Sequence, residues 1–246
     1  MRPSSWESPD LKVIAVHEDA LVITSSLWQT NAVAIRAGGE AMLIDSPYFP
    51  DELEMLPEML GQSGFEPVGL LATHGDWDHL LARLAFPEAS LGVAESTGTR
   101  IRSHPGVAQK ELRDADNQFY VRRERPLSLG SYQPLPVPGK LELGQQELEL
   151  YPAEGHTDDG MILFARWCGV VACGDYLSDV ELPTWSDKPL YRATLDRLRP
   201  LVAAAGVVVP GHGSPLTSEA ALRVLDEDVA YLDEAVVPPN RFKAPA

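Results

Sequence analysis

Apolar residues along this chain come in short runs separated by polar turns. Residues 11–16 and 20–24 are β-branched runs parted by His17-Glu18-Asp19, which predicts a strand pair with a turn. Residues 31–36, closed by Gly38-Gly39, and residues 41–44, ending at Asp45, extend the pattern to four consecutive antiparallel strands. Leu53, Leu56, Met59 and Leu60 then recur at helical spacing and predict a helix over 51–60 that stops at Gly61. Pro57 inside it argues against a straight helix. Residues 68–72 form a short buried strand, followed at once by Thr73-His74-Gly75-Asp76-Trp77-Asp78-His79.

The middle is less regular. Residues 96–125 mix polar and charged positions and predict a helix with a loop, and Pro126, Pro134, Pro136 and Pro138 mark an extended connection. The second half repeats the first in style. Strands are predicted at 141–143, 148–151, 161–165 and 169–173, then a helix over 190–205 with Pro200 as a break point. A buried strand at 206–209 ends at Pro210-Gly211-His212-Gly213. A closing helix over 218–235 puts Leu222, Leu225, Val229 and Leu232 on one face. Strands followed by a helix in each half predict a layered α/β domain with two sheets between helices. Residues 11–237 are expected to form this one domain, with 1–10 and 238–246 as loose termini.

Composition narrows the function. With 246 residues, 44% hydrophobic and 23% charged, the chain has the makeup of a folded protein with a full core. Its two cysteines, Cys168 and Cys173, exclude a disulfide framework and a cysteine-based zinc module. Their strand-like surroundings predict buried, inert thiols. No apolar run approaches the ~18 residues of a membrane span. The polar, proline-bearing first ten residues carry no signal-peptide stretch, so a cytoplasmic location without a membrane partner is expected. The net charge of -16 repels polyanions and disfavours a nucleic-acid partner. Residues 95–140 alone are basic, at +3, and read as a solvated helix face, with a substrate-steering patch as the second reading.

Six histidines carry the chemistry or none of it. His17 and His104 read as structural or surface residues, whereas His74, His79, His156 and His212 stand at strand ends beside glycine or acidic residues. His74-x-Asp76-x-Asp78-His79 packs four potential ligands into six residues. In an extended stretch positions 74, 76 and 78 share one face, and a turn brings His79 round to a second centre. Further donors come from Gly155-His156-Thr157, Gly174-Asp175 and Gly211-His212-Gly213. Three aspartates and four histidines suffice for a two-metal site. Taken alone, Asp76 and Asp78 could also be caps of a helix starting near His79. Neither a Gly-x-Ser-x-Gly nucleophile nor a phosphate-binding or dinucleotide fingerprint occurs. Asp45, just after a buried strand, is placed to orient a ligand. Trp77 reads as packing, and Asp158 lies beside a ligand.

This ordered set resembles the metallo-β-lactamase fold superfamily, whose pattern is His-x-His-x-Asp-His, then Gly-His, Asp and Gly-His. Here 76 residues separate His79 from His156, 18 separate His156 from Asp175, and 36 separate Asp175 from His212. The resemblance implies a four-layer αβ/βα sandwich with the site at one edge. It further implies a first metal held by His74, Asp76 and His156, a second by Asp78, His79 and His212, and Asp175 as the bridge. Two divalent ions are expected, zinc first, with manganese or iron admitted by Asp76. The implied function is hydrolysis of a small-molecule ester, thioester, lactone or amide by hydroxide activated at the metals, with Asp78 orienting the nucleophile. Nothing in the sequence sets an oligomeric state.

Two departures from the pattern matter. Asp76 stands where the family has its second histidine, and the family's frequent Gly-His-Thr-x-Gly-Ser is here Gly155-His156-Thr157-Asp158-Asp159-Gly160. A carboxylate at that position is similar to the flavodiiron proteins, so a di-iron redox protein is the alternative; a metal-keeping sensing domain is another. Only 34 residues follow His212, too few for a flavodoxin domain or for the helical domain of glyoxalase II. Three carboxylates and a bridging hydroxide cancel the charge of two divalent ions. A less positive centre weakens Lewis acidity and favours harder ions relative to zinc.

Overall fold

The computed structural model describes residues 11–235, 237–238 and 241–242. The amino-terminal half forms a seven-stranded sheet in sequence order. Its strands are β1 (Lys12–His17), β2 (Ala20–Thr24), β3 (Asn31–Ala37), β4 (Glu40–Asp45), β5 (Pro67–Leu71), β6 (Ser90–Ala94) and β7 (Tyr132–Leu135). The first four are antiparallel, as their spacing predicts, and β4 to β7 run parallel. The second sheet holds β8 (Gly139–Leu143), β9 (Gln146–Pro152), β10 (Met161–Ala165), β11 (Val170–Ala172), β12 (Val207–Val209) and β13 (Leu216–Thr217). Its order is β13-β12-β11-β10-β9-β8, and only β11 and β12 pair in parallel.

Three apolar cores separate four layers. Val22, Val33, Ile35 and Ile44 of the first sheet meet Leu148, Leu150, Met161 and Leu163 of the second. On its other face the first sheet buries Ile23 and Leu43 against Leu53, Leu56 and Leu60 of α1 (Pro50–Gln62) and Leu112 of α4 (Val107–Gln118). The second sheet buries Ile162, Phe164 and Val208 against α5 (Lys188–Ala204) and α6 (Ser218–Leu232). Strands covered on both faces need no polar side, which is why β2, β10 and residues 32–35 of β3 read as apolar runs.

The helices differ in detail from the sequence pattern. Helix α1 runs through Pro57. An interior proline costs roughly 3 kcal/mol, and burying Leu53, Leu56 and Leu60 at about 1.5–3 kcal/mol each outweighs it. Helix α5 likewise continues past Pro200. The expected single helix over 96–125 is two, α3 (Glu95–Ser103) and α4, divided where Gly106 takes a φ of 81°. A short helix, α2 (Ala82–Ala85), precedes β6. Strand β7 lies at the sheet edge, where Pro134 is tolerated because no neighbour needs its missing N–H. Within the carboxy-terminal stretch, Arg241 pairs with buried Asp228, and Phe242 exchanges backbone hydrogen bonds with Val180 and Leu182. Arg241 and Phe242 are anchored in this way, whereas residues 1–10, 239–240 and 243–246 of the expected loose termini lie outside the described residues. No helix among the described residues is long and apolar enough to cross a membrane.

Candidate metal centre

The loops that follow β4, β5, β11 and β12, with the loop joining β9 to β10, converge at one edge of the two facing sheets. They bring together all seven residues singled out from the sequence. The segment after β5 is not the extended ladder expected. It bends through 73–76 and then makes one 3-10 turn, Trp77–His79. Asp76 stands at the start of that turn but makes no capping hydrogen bond with its side chain, so the capping alternative does not account for it. The turn instead sends His74 and Asp76 to one group of donors and Asp78 and His79 to another.

Distances define the grouping. Nε2 of His74 and Nε2 of His156 lie 3.5 and 3.7 Å from Asp76 Oδ2. Nε2 of His79 and Nε2 of His212 lie 3.7 and 3.3 Å from Asp78 Oδ2. Asp175 stands between the groups. Its Oδ2 faces His156 at 3.2 Å and His74 at 3.9 Å, while its Oδ1 faces His79 at 3.1 Å and His212 at 3.5 Å. Gly211 is required here, because a Cβ at that position would overlap Asp175 Oδ1.

Hydrogen bonds to the far side of each imidazole set its tautomer. Asp45 Oδ2 lies 3.0 Å from His79 Nδ1, and the Thr184 carbonyl lies 3.1 Å from His156 Nδ1. Both can only accept, so both Nδ1 atoms carry hydrogen. The Thr73 hydroxyl donates to Asp45 Oδ2 and lies 3.2 Å from His74 Nδ1, so it accepts there. The Thr30 hydroxyl donates to Leu27 O and lies 3.4 Å from His212 Nδ1, with the same result. In its neutral form every imidazole thus presents the lone pair of Nε2 to the centre. Nε2 of His74, His79 and His156, and Oδ1 of Asp175, are buried without a hydrogen-bond partner.

The electrostatics follow. Burial opposes charge on His79 and His212, but the surrounding carboxylates hold both pKa values well above the usual imidazole range. Burial likewise opposes charge on His156, and Asp175 and Asp76 together push it up to about 10. Asp76 is held well below the carboxylate range, against burial, by His74 and His156, and Asp175 by His212, His79 and His156. The cluster therefore attracts positive charge at its middle.

Sequence reasoning named Asp45 but missed Thr30, Thr73, Thr184, Arg100 and Asp159. Of these, Arg100 and Asp159 matter most. Arg100, from the basic segment read as a solvated face, ion-pairs with Asp76 at 2.6 Å. Trp28, with a φ of 52°, packs 6.1 Å from Trp77, 5.4 Å from Phe119 and 6.4 Å from His212, forming an aromatic wall beside the second group. His17 and His104 lie outside the cluster, as expected. Both thiols are buried and free, and burial raises Cys168 to about 11.

The family model of the metallo-beta-lactamase superfamily matches residues 26–212, a span that contains every one of these donors. The chain belongs to the metallo-beta-lactamase superfamily. No curated protein sequence matches it. Among solved structures, it is similar to the DIM-1 metallo-beta-lactamase exposed to ceftazidime, at 20% identity over 92% of this chain and 99% of that one, with a TM-score of 0.66. A metallo-beta-lactamase family protein from Thermus thermophilus is 20% identical, over 89% of this chain and 81% of that one, with a TM-score of 0.68. A metallo-beta-lactamase from Pontibacter korlensis is 18% identical, over 88% and 98%, with a TM-score of 0.66. At these identities the likeness establishes the shared metallo-beta-lactamase fold. The four layers are those of that fold, and membership of the superfamily supports a metal-dependent hydrolase.

Proposed function

We propose that the chain is a dinuclear metal-dependent hydrolase of a small-molecule ester, thioester, lactone or amide. His74, Asp76 and His156 would hold one divalent ion, Asp78, His79 and His212 the other, and Asp175 would bridge them. The observation that carries this reading is the division of Asp175, whose two oxygens face different histidine pairs. The donor chemistry fits divalent cations. The tautomers set from behind leave each Nε2 facing the carboxylates, and those of His74, His79 and His156 are buried without a hydrogen-bond partner, which suits an imidazole and carboxylate set built for divalent ions. Imidazole with carboxylate suits zinc, and the third carboxylate suits manganese or iron as well.

When bound, a divalent pair supplies Lewis acidity, polarising a carbonyl or phosphoryl oxygen and lowering the pKa of water. The protein's own residues do the rest. Asp45 and the Thr184 carbonyl keep His79 and His156 oriented. Asp78, besides its place among the donors, orients the attacking water. The Trp28–Trp77–Phe119 wall limits water access beside His212. A cavity of about 510 Å³, bordered by Gly75, Arg100, Ile101 and Leu127, opens between α3 and α4. Its volume is in the range of a small-molecule site, and it adjoins the centre through Arg100 and Gly75 rather than through any of the seven residues.

A panel of chromogenic esters, thioesters, lactones, β-lactams and phosphodiesters tests the reading, run beside an oxygen-consumption assay. Hydrolysis that vanishes with chelator, returns with metal and collapses in Asp175→Ala is the expected result. Asp76 is the feature that favours a di-iron redox protein instead. Metal-dependent oxygen consumption without hydrolysis would select that alternative.

A further inference from the structure

We propose that Arg100 is a positioning residue for the first metal site, acting through Asp76, and that Asp76, Arg100 and Asp159 work as one unit. The inference rests on Asp76 being a ligand, as proposed above. Arg100 Nη2 lies 2.6 Å from Asp76 Oδ1, and its Nη1 donates to Asp159 Oδ1 at 2.8 Å. Asp159 is 1% exposed, and its other oxygen accepts the N–H of Gly75 at 2.9 Å. The unit therefore grips the loop twice, at the Asp76 carboxylate and at the peptide between His74 and Asp76.

The two departures from the family pattern meet at this arginine. Asp76 replaces the family's histidine, and Asp159 falls where the family often has glycine. They are separated by 82 residues in sequence, and a single guanidinium joins them. Chemistry supplies the reason. A histidine offers one nitrogen to a metal and fixes its plane through the other. A carboxylate offers two equivalent oxygens and can rotate or chelate with both. Occupying Oδ1 with a rigid, permanently charged donor leaves Oδ2 as the oxygen aimed at His74 and His156, and that is the arrangement found.

Arg100 is not placed to bind an anionic substrate group. Both terminal nitrogens are engaged by carboxylates, and Nε lies 3.9 Å from Asp158. A fork committed in this way orients its partners instead of recruiting a third.

Zinc titration of the chelator-stripped full chain against a competing indicator tests the proposal. Asp76→Ala should lose one zinc equivalent. Arg100→Gln should keep both equivalents but weaken the first-site affinity about 10–100-fold. Arg100→Lys should recover part of the loss. In an Asp76→His background, Arg100→Gln should weaken zinc at least about threefold less than in the parent, since the carboxylate it orients is gone and only the hold through Asp159 on Gly75 remains to be lost. Parent-like affinity in Arg100→Gln, with Asp76→Ala depleted, overturns this inference and leaves the ligand reading intact. Equal losses from Arg100→Gln in both backgrounds also overturn it, because the arginine would then act on the fold. Parent-like zinc binding in Asp76→Ala removes Asp76 from the ligands, and the inference falls with it. If the glutamine variant does not fold, the lysine variant in both backgrounds decides on the same terms.

Discussion

Asp45 holds His79 from behind: its Oδ2 lies 3.0 Å from His79 Nδ1, and the pair is buried. Asp45 closes β4 in the left-handed region, with a φ of 56°, and also accepts the N–H and hydroxyl of Thr73. Asparagine tolerates that backbone as well as aspartate does. Its amide, however, would offer either a donor or a neutral acceptor to Nδ1. Asp45→Asn is therefore expected to fold, and to weaken zinc at the Asp78–His79–His212 group about 10–100-fold. Asp45→Ala should in addition destabilise the protein by about 1–3 kcal/mol for each donor left unpaired. Urea melts and zinc titration of both variants check the two expectations separately.

Gly211 presses against the same cluster from the β12 side. A Cβ there would overlap Asp175 Oδ1 and stand 2.9 Å from His79 Cε1. Gly211→Ala should displace Asp175, lowering metal content and cutting hydrolysis at least about tenfold. Overpacking of this kind costs roughly 1–3 kcal/mol, so the fold should survive. Elemental analysis of the purified variant is the check, and parent-like metal content would count against the placement of Asp175.

Stability of the metal-free protein should depend on pH through His156. Burial opposes its charge, yet Asp175 and Asp76 raise its pKa to about 10 in the folded chain, against about 6.5 when unfolded. Folding thus favours its protonated form. The stabilisation is complete below about pH 6.5 and is lost as pH rises through about 10. In chelator, the stability difference between the parent and His156→Asn should shrink from pH 6 to pH 10. Urea melts across that range measure it. A difference that stays constant would show that the carboxylates do not hold His156 protonated.

The clustering of the seven residues is legible in the sequence because each lies in a short loop just after an apolar run, where spacing and glycine mark the turn. The resemblance supplies their division into two groups. Local geometry is less legible. An alternating ladder and a 3-10 turn present the same residue types, and the turn is the form that goes with Leu80 and Leu81 buried in the core just after it. Strand β6 escapes a sequence pattern because Gly92 dilutes it, although a Cβ there would crowd Leu71 and Leu135 of its neighbours. Strand β7 is hidden by Pro134, which only an edge position permits. Arg100 carries a signal in being part of the one basic segment. Its partners lie 24 residues back and 59 residues ahead, a tertiary fact that no local pattern encodes.

The most direct test of the two-group centre is metal stoichiometry in the parent, His156→Ala and His212→Ala, each purified without added metal. Two metals per parent chain and one in each variant, with a different site lost in each, is the predicted result. Parent-like content in both variants, or a parent that binds no metal even when divalent ions are supplied, would contradict it.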